Sequence, residues 1–149
     1  MFKLRFSLAF VFWFCLTVST QAATYGGGSG TQEDPYQIWT AEQMNAVGAN
    51  PSDWGQYFKL MTNIDMSIYS GTQYHVIGNY TTCFSGTFDG NGHIISNLTY
   101  ATTALTNYVG VFGYTSGARI QNLGVTHASL SSGGSYIGGL VGFSTNTSI

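Results

Sequence analysis

Charge is what this chain has least of: Asp, Glu, Lys and Arg together make up only 7% of its residues. The shortage is greatest for cations. Lys3 and Arg5 lie in the first few residues, and Lys59 and Arg119 are the only others. Proteins that neutralise nucleic-acid phosphates need clustered Lys and Arg, so nucleic-acid binding is excluded. Cysteine is almost as scarce. Cys15 sits near the N-terminus and Cys83 stands alone in the remainder. No disulfide framework holds the chain, and Cys83 reads as a small core residue. Proline occurs twice, at Pro35 and Pro51, so nothing resembles an extended proline-rich linker. Three histidines, His75, His93 and His127, lie far apart without metal-ligand spacing.

One long apolar run is present, at the start. Lys3 and Arg5 precede Phe6–Val18, which has no charge and only Ser7 and Thr17 as polar interruptions, and Ser19–Ala23 follows as a small-residue stretch. This is the order of a secretory signal peptide. The run is shorter than the roughly 20 apolar residues a membrane span needs. The expectation is a signal peptide at 1–22, cleavage after Ala22, no membrane span afterwards, and a secreted or cell-surface destination. The part that remains carries two cations against Glu33, Asp34, Glu42, Asp53, Asp65 and Asp89, a formal charge of −4.

What the chain has in quantity is Gly, Ser, Thr and Tyr, a composition of strands and tight turns. A Gly-rich lead-in, residues 23–35, is read as flexible and coreless. Tyr36–Trp39 reads as a first strand. Thr40-Ala41-Glu42-Gln43 fits a capping box, with Trp39 and Met44 placed for a hydrophobic staple, and opens a helix over Ala41–Val47 that stops at Gly48. Beyond Tyr57 the helical period disappears and short strand-like pieces follow.

From residue 84 the chain repeats. Gly86–Gly90 aligns with Gly110–Tyr114 at an offset of 24, and Ile95-Ser96-Asn97-Leu98 with Ile120-Gln121-Asn122-Leu123 at 25. Val111–Tyr114 aligns with Leu140–Phe143 at 29, and Tyr108-Val109-Gly110 recurs as Tyr136-Ile137-Gly138. Short strands, glycine turns and a period of this size are the signature of a solenoid. The expected fold is all-β: a right-handed parallel β-helix over 36–149, with an N-terminal cap at 36–66 that includes the short helix. Its expected inward columns are Ile95 over Ile120, Leu98 over Leu123 and Phe88 over Phe112, with Asn97 and Asn122 stacked at a corner.

Gly139-Leu140-Val141-Gly142 resembles the signature of the GLUG-motif repeat proteins, which are exported and cell-surface proteins of bacteria. Phe84–Leu98, Asp34–Ile38 and Phe58–Met66 are similar to the stretches that precede those repeats, so the resemblance covers most of 34–149. It implies a surface β-helical array, some members of which lie beside IgA-cleaving metallopeptidase domains, and no shared catalytic residue. Only one full GLUG match occurs, with Val111-Phe112-Gly113 as a degenerate copy. The coils from 84 to 149 therefore read as an incomplete array, with Ile149 stopping short of a closed coil and end-to-end self-association expected.

Candidate chemistry is thin. A glycosidase needs two carboxylates roughly 5–10 Å apart, and Asp65 and Asp89 are the only ones in the coil region. Asp89 lies in the turn sequence Asp89-Gly90-Asn91-Gly92, where aspartate bonds its own backbone. Asp89 and Asn91 are weak calcium candidates, too few for an ion that takes six to eight oxygens. No catalytic residue and no cofactor is assigned. The function expected is a β-helical repeat module with an adhesive, binding or scaffolding role toward glycans or surface proteins. The alternative is the non-catalytic front of a larger secreted enzyme.

Overall fold

The structure is a computed structural model that describes residues 24–149. The expected signal peptide and its cleavage site lie outside those residues. The first strand, β1, is Tyr36–Ile38, and helix α1, Ala41–Ala49, follows it. Then come a 3₁₀ turn at Pro51–Asp53, β2 (Tyr57–Leu60) and β3 (Ile64–Asp65). The next pieces are β4 (Thr87–Asp89), β5 (Ile94–Ser96), β6 (Thr99–Ala101) and β7 (Phe112–Ser116). The last are β8 (Arg119–Gln121), β9 (Gly124–Thr126), β10 (Ser129–Ser131) and β11 (Val141–Thr145).

Every strand pairing among the described residues is parallel, and no sheet pairs strands adjacent in sequence except β1 with β2. The first sheet runs β1-β2-β4-β8, the second β3-β5-β9, and two-stranded sheets join β6 to β10 and β7 to β11. Following the chain, one visits each sheet in turn and returns to the first one layer higher. This is a solenoid-like stack of parallel β-strands.

The period is longer than the first pair of alignments suggests. Tyr57 pairs with Thr87, a step of 30 residues, and Thr87 with Arg119, a step of 32. The expected columns are corrected accordingly. Phe88 lies over Phe58 and under Ile120, and Ile95 over Ile64 and under Val125. Phe88 and Phe112 do touch, edge to face at 5.3 Å, but across the interior and not in one ladder. The physical reason is that Ile-x-Asn-Leu is a corner motif. Ile95–Leu98 leaves the second sheet while Ile120–Leu123 leaves the first, and Asn97 and Asn122 both turn the chain at positive φ, 56° and 53°. The offset of 29 is correct: Phe112 pairs with Val141 and Tyr114 with Phe143.

The interior is mostly apolar, with Ile38, Phe58, Leu60, Phe84, Phe88, Val111 and Phe112 at 0–1% exposure and Asn45 and Thr115 as its buried polar residues. Burying side chains of this size stabilises by about 1.5–3 kcal/mol each before chain entropy is counted. At the N-terminal end α1 takes the place a strand would occupy beside β3. It runs two residues beyond the expected Val47 and buries Met44 and Val47. Thr40 Oγ1 accepts from the Gln43 N–H at 3.2 Å, and Gln43 Oε1 accepts from the N–H of Trp39 at 2.7 Å. The box thus closes one residue earlier than expected. The staple is absent: Trp39 is 46% exposed and lies across Gly26, where an added Cβ would fall 2.2 Å from its ring.

The lead-in is the larger correction. It is not coreless, because Tyr25 is only 6% exposed. Its ring meets Tyr36 at 4.6 Å and Phe58 at 5.6 Å, and its hydroxyl donates to Asp53 Oδ2 at 3.0 Å. The backbone of Gly26 and Gly27 exchanges hydrogen bonds with Gln37 at 2.9 and 2.8 Å. Those contacts lay residues 25–30 along β1 and shield that edge.

Candidate binding surface

Strand alternation decides which side chains are available outside. In the first sheet Phe58, Phe88 and Ile120 point inward, so their neighbours point out in two rows. Tyr57, Thr87 and Arg119 form one row, and Lys59, Asp89 and Gln121 the other. Together with Gln32, Glu33 and Pro35 of the lead-in they line an open groove of about 470 Å³. Both cations of the described residues therefore stand on one face of one sheet.

The floor of that groove is an ordered hydrogen-bond chain. Arg119 Nε donates to Gln121 Oε1 at 2.6 Å, and Gln121 Nε2 donates to Asp89 Oδ2 at 3.1 Å. Asp89 Oδ1 accepts the Asn91 N–H at 2.8 Å and Asn122 Nδ2 at 3.0 Å. Burial works to raise the Asp89 pKa, but those donors and the nearby Lys59 charge outweigh it and hold the carboxyl below its usual range. A carboxylate so surrounded by N–H donors is satisfied by the protein. It does not present its lone pairs to a cation, and the Asn91 amide donates away from it to Leu60 O at 3.2 Å. The calcium pairing of Asp89 with Asn91 is not supported by this donor set, and among the described residues no group of three His, Cys, Asp or Glu comes together.

Asp65 repeats the arrangement at the corner of the second sheet. Its Oδ1 accepts the Ser67 N–H at 2.9 Å and Asn97 Nδ2 at 3.0 Å. The asparagines do stabilise the solenoid along its axis, but not by stacking on each other. Asn97 and Asn122 each reach back one coil to an aspartate. The signal that could have shown this is the step of 32 to 33 residues from each Asp to its Asn.

A second surface lies beside the sheet of β7 and β11. Tyr80, Tyr108 and Tyr136 stack one per coil. Tyr80 and Tyr108 are 6.3 Å apart at 14°, and Tyr108 and Tyr136 are 5.1 Å apart at 5°. Tyr114 and Phe143 flank them at 5.2 and 5.1 Å, edge-on. Tyr108 and Tyr136 have φ of 61° and 64°, uncommon for aromatic residues. The twist brings each tyrosine carbonyl down onto a glycine. A Cβ on Gly113 would lie 2.3 Å from Tyr108 O, and one on Gly142 2.5 Å from Tyr136 O. That is the physical content of the last glycine in Gly139–Gly142. Leu140 and Val141 are half-buried, Leu140 accepting the Phe112 N–H at 2.9 Å and Val141 pairing with Phe112. Cys83 is half-buried, not in the core, and free.

The fold is that of a mostly β, repeat-like protein whose short parallel sheets have a solenoid-like arrangement. Over 129 residues the chain is 34% identical to halomucin of Haloquadratum walsbyi, covering 80% of this chain and 1% of that protein. Over 109 residues it is 32% identical to a protein of Evansella cellulosilytica whose name describes a Gly-rich membrane protein, covering 70% of this chain and 12% of that one. The chain thus spans only a small part of the length of either relative. No family model matches it, and no solved structure does.

Proposed function

We propose that this chain is an exported, right-handed parallel β-helix of the GLUG-repeat type, serving at or beyond the cell surface as an adhesive or scaffolding module. The observation that carries the reading is the coil register of 28 to 29 residues that sets Val109 under Ile137 and Tyr108 under Tyr136. Along that ladder the chain sets a tyrosine outward at each of three layers, Tyr80, Tyr108 and Tyr136, which suits repeated weak contacts with an extended partner. Right-handed crossover is the near-universal hand of parallel connections. A relative named as a membrane protein supports an extracytoplasmic setting, as does the signal-like start.

The partners proposed are glycans or surface proteins. Association with a second copy through the outer edge of β11 is proposed as well, since that strand pairs only with β7 among the described residues. No hydrolysis is assigned to the chain itself. Both carboxylates of the coil region are engaged by amide donors, whereas a general acid or nucleophile must meet its substrate.

The test is fractionation of cells expressing the full chain, with mass spectrometry of the product. The expected result is a protein beginning at Ala23 in the medium or on the surface, accessible to added protease. An intact Met1 form confined to the cytoplasm overturns the reading. Release of reducing sugar from polysaccharide, abolished by Asp65→Asn or Asp89→Asn, overturns the non-enzymatic part.

A further inference from the structure

The groove on the outer face of the first sheet has a composition that a scaffold alone does not require. The described residues contain two fixed cations, and both line it. Arg119 is aimed. Its Nε is held by Gln121 Oε1, which leaves the two terminal nitrogens of an exposed guanidinium available as donors. A guanidinium held this way is preorganised for two parallel bonds to a carboxylate. The obvious internal candidate is already occupied, because Asp89 is engaged by Asn91, Asn122 and Gln121.

Lys59 stands on the other row, one layer below Asp89 and two below Gln121. Strand spacing of about 4.8 Å per layer puts the two cations roughly 10 Å apart or more along the groove. Of the other lining residues, Tyr57, Thr87 and Gln32 supply donors and acceptors, Glu33 supplies an acceptor, and Pro35 and Phe58 are apolar. The lining is mostly polar with a smaller apolar part, the mixture that the hydroxyls and ring faces of a sugar meet. Glu33 beside the cations disfavours a dense polyanion, but it matches a ligand that carries one carboxylate among several hydroxyls. The volume, about 470 Å³, is that of a small-molecule site.

We propose that this groove binds uronic-acid oligosaccharides, with the Arg119 fork on a sugar carboxylate, Lys59 on a second acidic unit, and Glu33 and Gln32 on hydroxyls. The proposal rests on the reading that the module binds glycans and names which ones. It is independent of where the cell places the protein.

The experiment is calorimetric titration of the full chain with trigalacturonate and with its methyl ester, which has the same hydroxyls and no charge. The acid is expected to bind and the ester to bind about ten-fold more weakly or not at all, a loss of the size that follows from removing a charge-assisted pair. Arg119→Gln should lose binding by a similar factor at unchanged melting temperature, and Arg119→Lys should recover only part of it. Asp65→Asn, on another sheet, should bind as the parent does. Equal binding of acid and ester, no binding of either, or full binding by Arg119→Gln overturns the proposal. Tighter binding of a glutamate pentapeptide assigns the groove to acidic peptides and also overturns it. A null result here leaves surface exposure of the chain intact, so the two readings fail separately.

Discussion

Tyr108 lies plane to plane with Tyr136 one coil above it, ring centroids 5.1 Å apart, and both residues hold a left-handed backbone. The rings are only partly covered, so the stack is a surface ladder that compensates a conformational cost. A left-handed residue with a Cβ costs about 1–2 kcal/mol, and an aromatic pair returns about 0.5–1.5 kcal/mol beyond its buried area.

Substitution at Tyr108 separates these two terms. Tyr108→Ala loses its ring contacts with Tyr80, Tyr114, Tyr136 and Phe143 and keeps the strain, so unfolding in urea should show a loss of about 2 kcal/mol. Tyr108→Asn loses the same rings but suits the left-handed region, which this chain already fills with Asn91, Asn97, Asn122 and Asn146. It should be the more stable of the two by about 1 kcal/mol. Ala equal to or better than Asn would show that strain plays no part.

The glycines of the GLUG-like turn should differ sharply. A Cβ on Gly142 meets three backbone atoms within 2.9 Å, Tyr136 O, Gly113 O and Val109 N, whereas one on Gly139 meets nothing within 4 Å. Gly142→Ala should therefore cost about 1–3 kcal/mol, as overpacking does. Gly139→Ala should stay within about 0.5 kcal/mol of the parent. Comparable losses in thermal unfolding at both sites would contradict the packing described.

How much of this was legible in the sequence depended on what each motif marks. The step of 29 was readable because Val-Phe-Gly-Tyr and Leu-Val-Gly-Phe occupy the same wall in successive coils. The step of 24 was illusory because Phe88 and Phe112 follow a glycine on strands of two different sheets, β4 and β7. The step of 25 was illusory because Ile-x-Asn-Leu fits any corner where an inward residue precedes a left-handed bend. Two different corners of the stack satisfy it. The groove was not legible at all. Tyr57, Lys59, Thr87, Asp89, Arg119 and Gln121 share no local pattern, and only the true register gathers them. Capping at α1 was readable because it is local, a hydroxyl and an amide three residues apart.

Acid should weaken the stack through its aspartates. Asp65 is held below its ordinary pKa by the Asn97 amide first and then by Ser67, and Asp89 is also held low by donors that outweigh its burial. A carboxylate whose folded pKa is depressed contributes stability above its unfolded pKa and loses it as pH falls through the folded value. Melting temperature should thus be flat above about pH 5 and fall as pH drops below about 4, the unfolded range of Asp. Asp89→Asn should lower the neutral plateau and flatten the acid limb. An unchanged acid limb in the variant would remove Asp89 from that account.

The lead-in offers the most direct test of how the N-terminal end is closed. Tyr25 is buried against Tyr36 and Phe58 and bonded to Asp53, although the chain around it is Gly26, Gly27, Gly28 and Gly30. Glycines are needed there because the strand beneath lies close: a Cβ on Gly28 would fall 2.0 Å from Pro35 O. The segment is thus a fitted cover for β1, and Tyr25 is its anchor. Removing a buried aromatic ring typically costs about 3–5 kcal/mol, so Tyr25→Ala should destabilise by roughly that amount. Tyr25→Phe keeps the ring and should lose only the bond to Asp53, about 1 kcal/mol. Thr40→Ala, which removes the α1 cap bond, should also cost about 1 kcal/mol. The order Tyr25→Ala well below the other two, read from urea unfolding, is the outcome expected of a folded lead-in. If Tyr25→Ala matches Thr40→Ala, the segment contributes no core and α1 closes the end by itself.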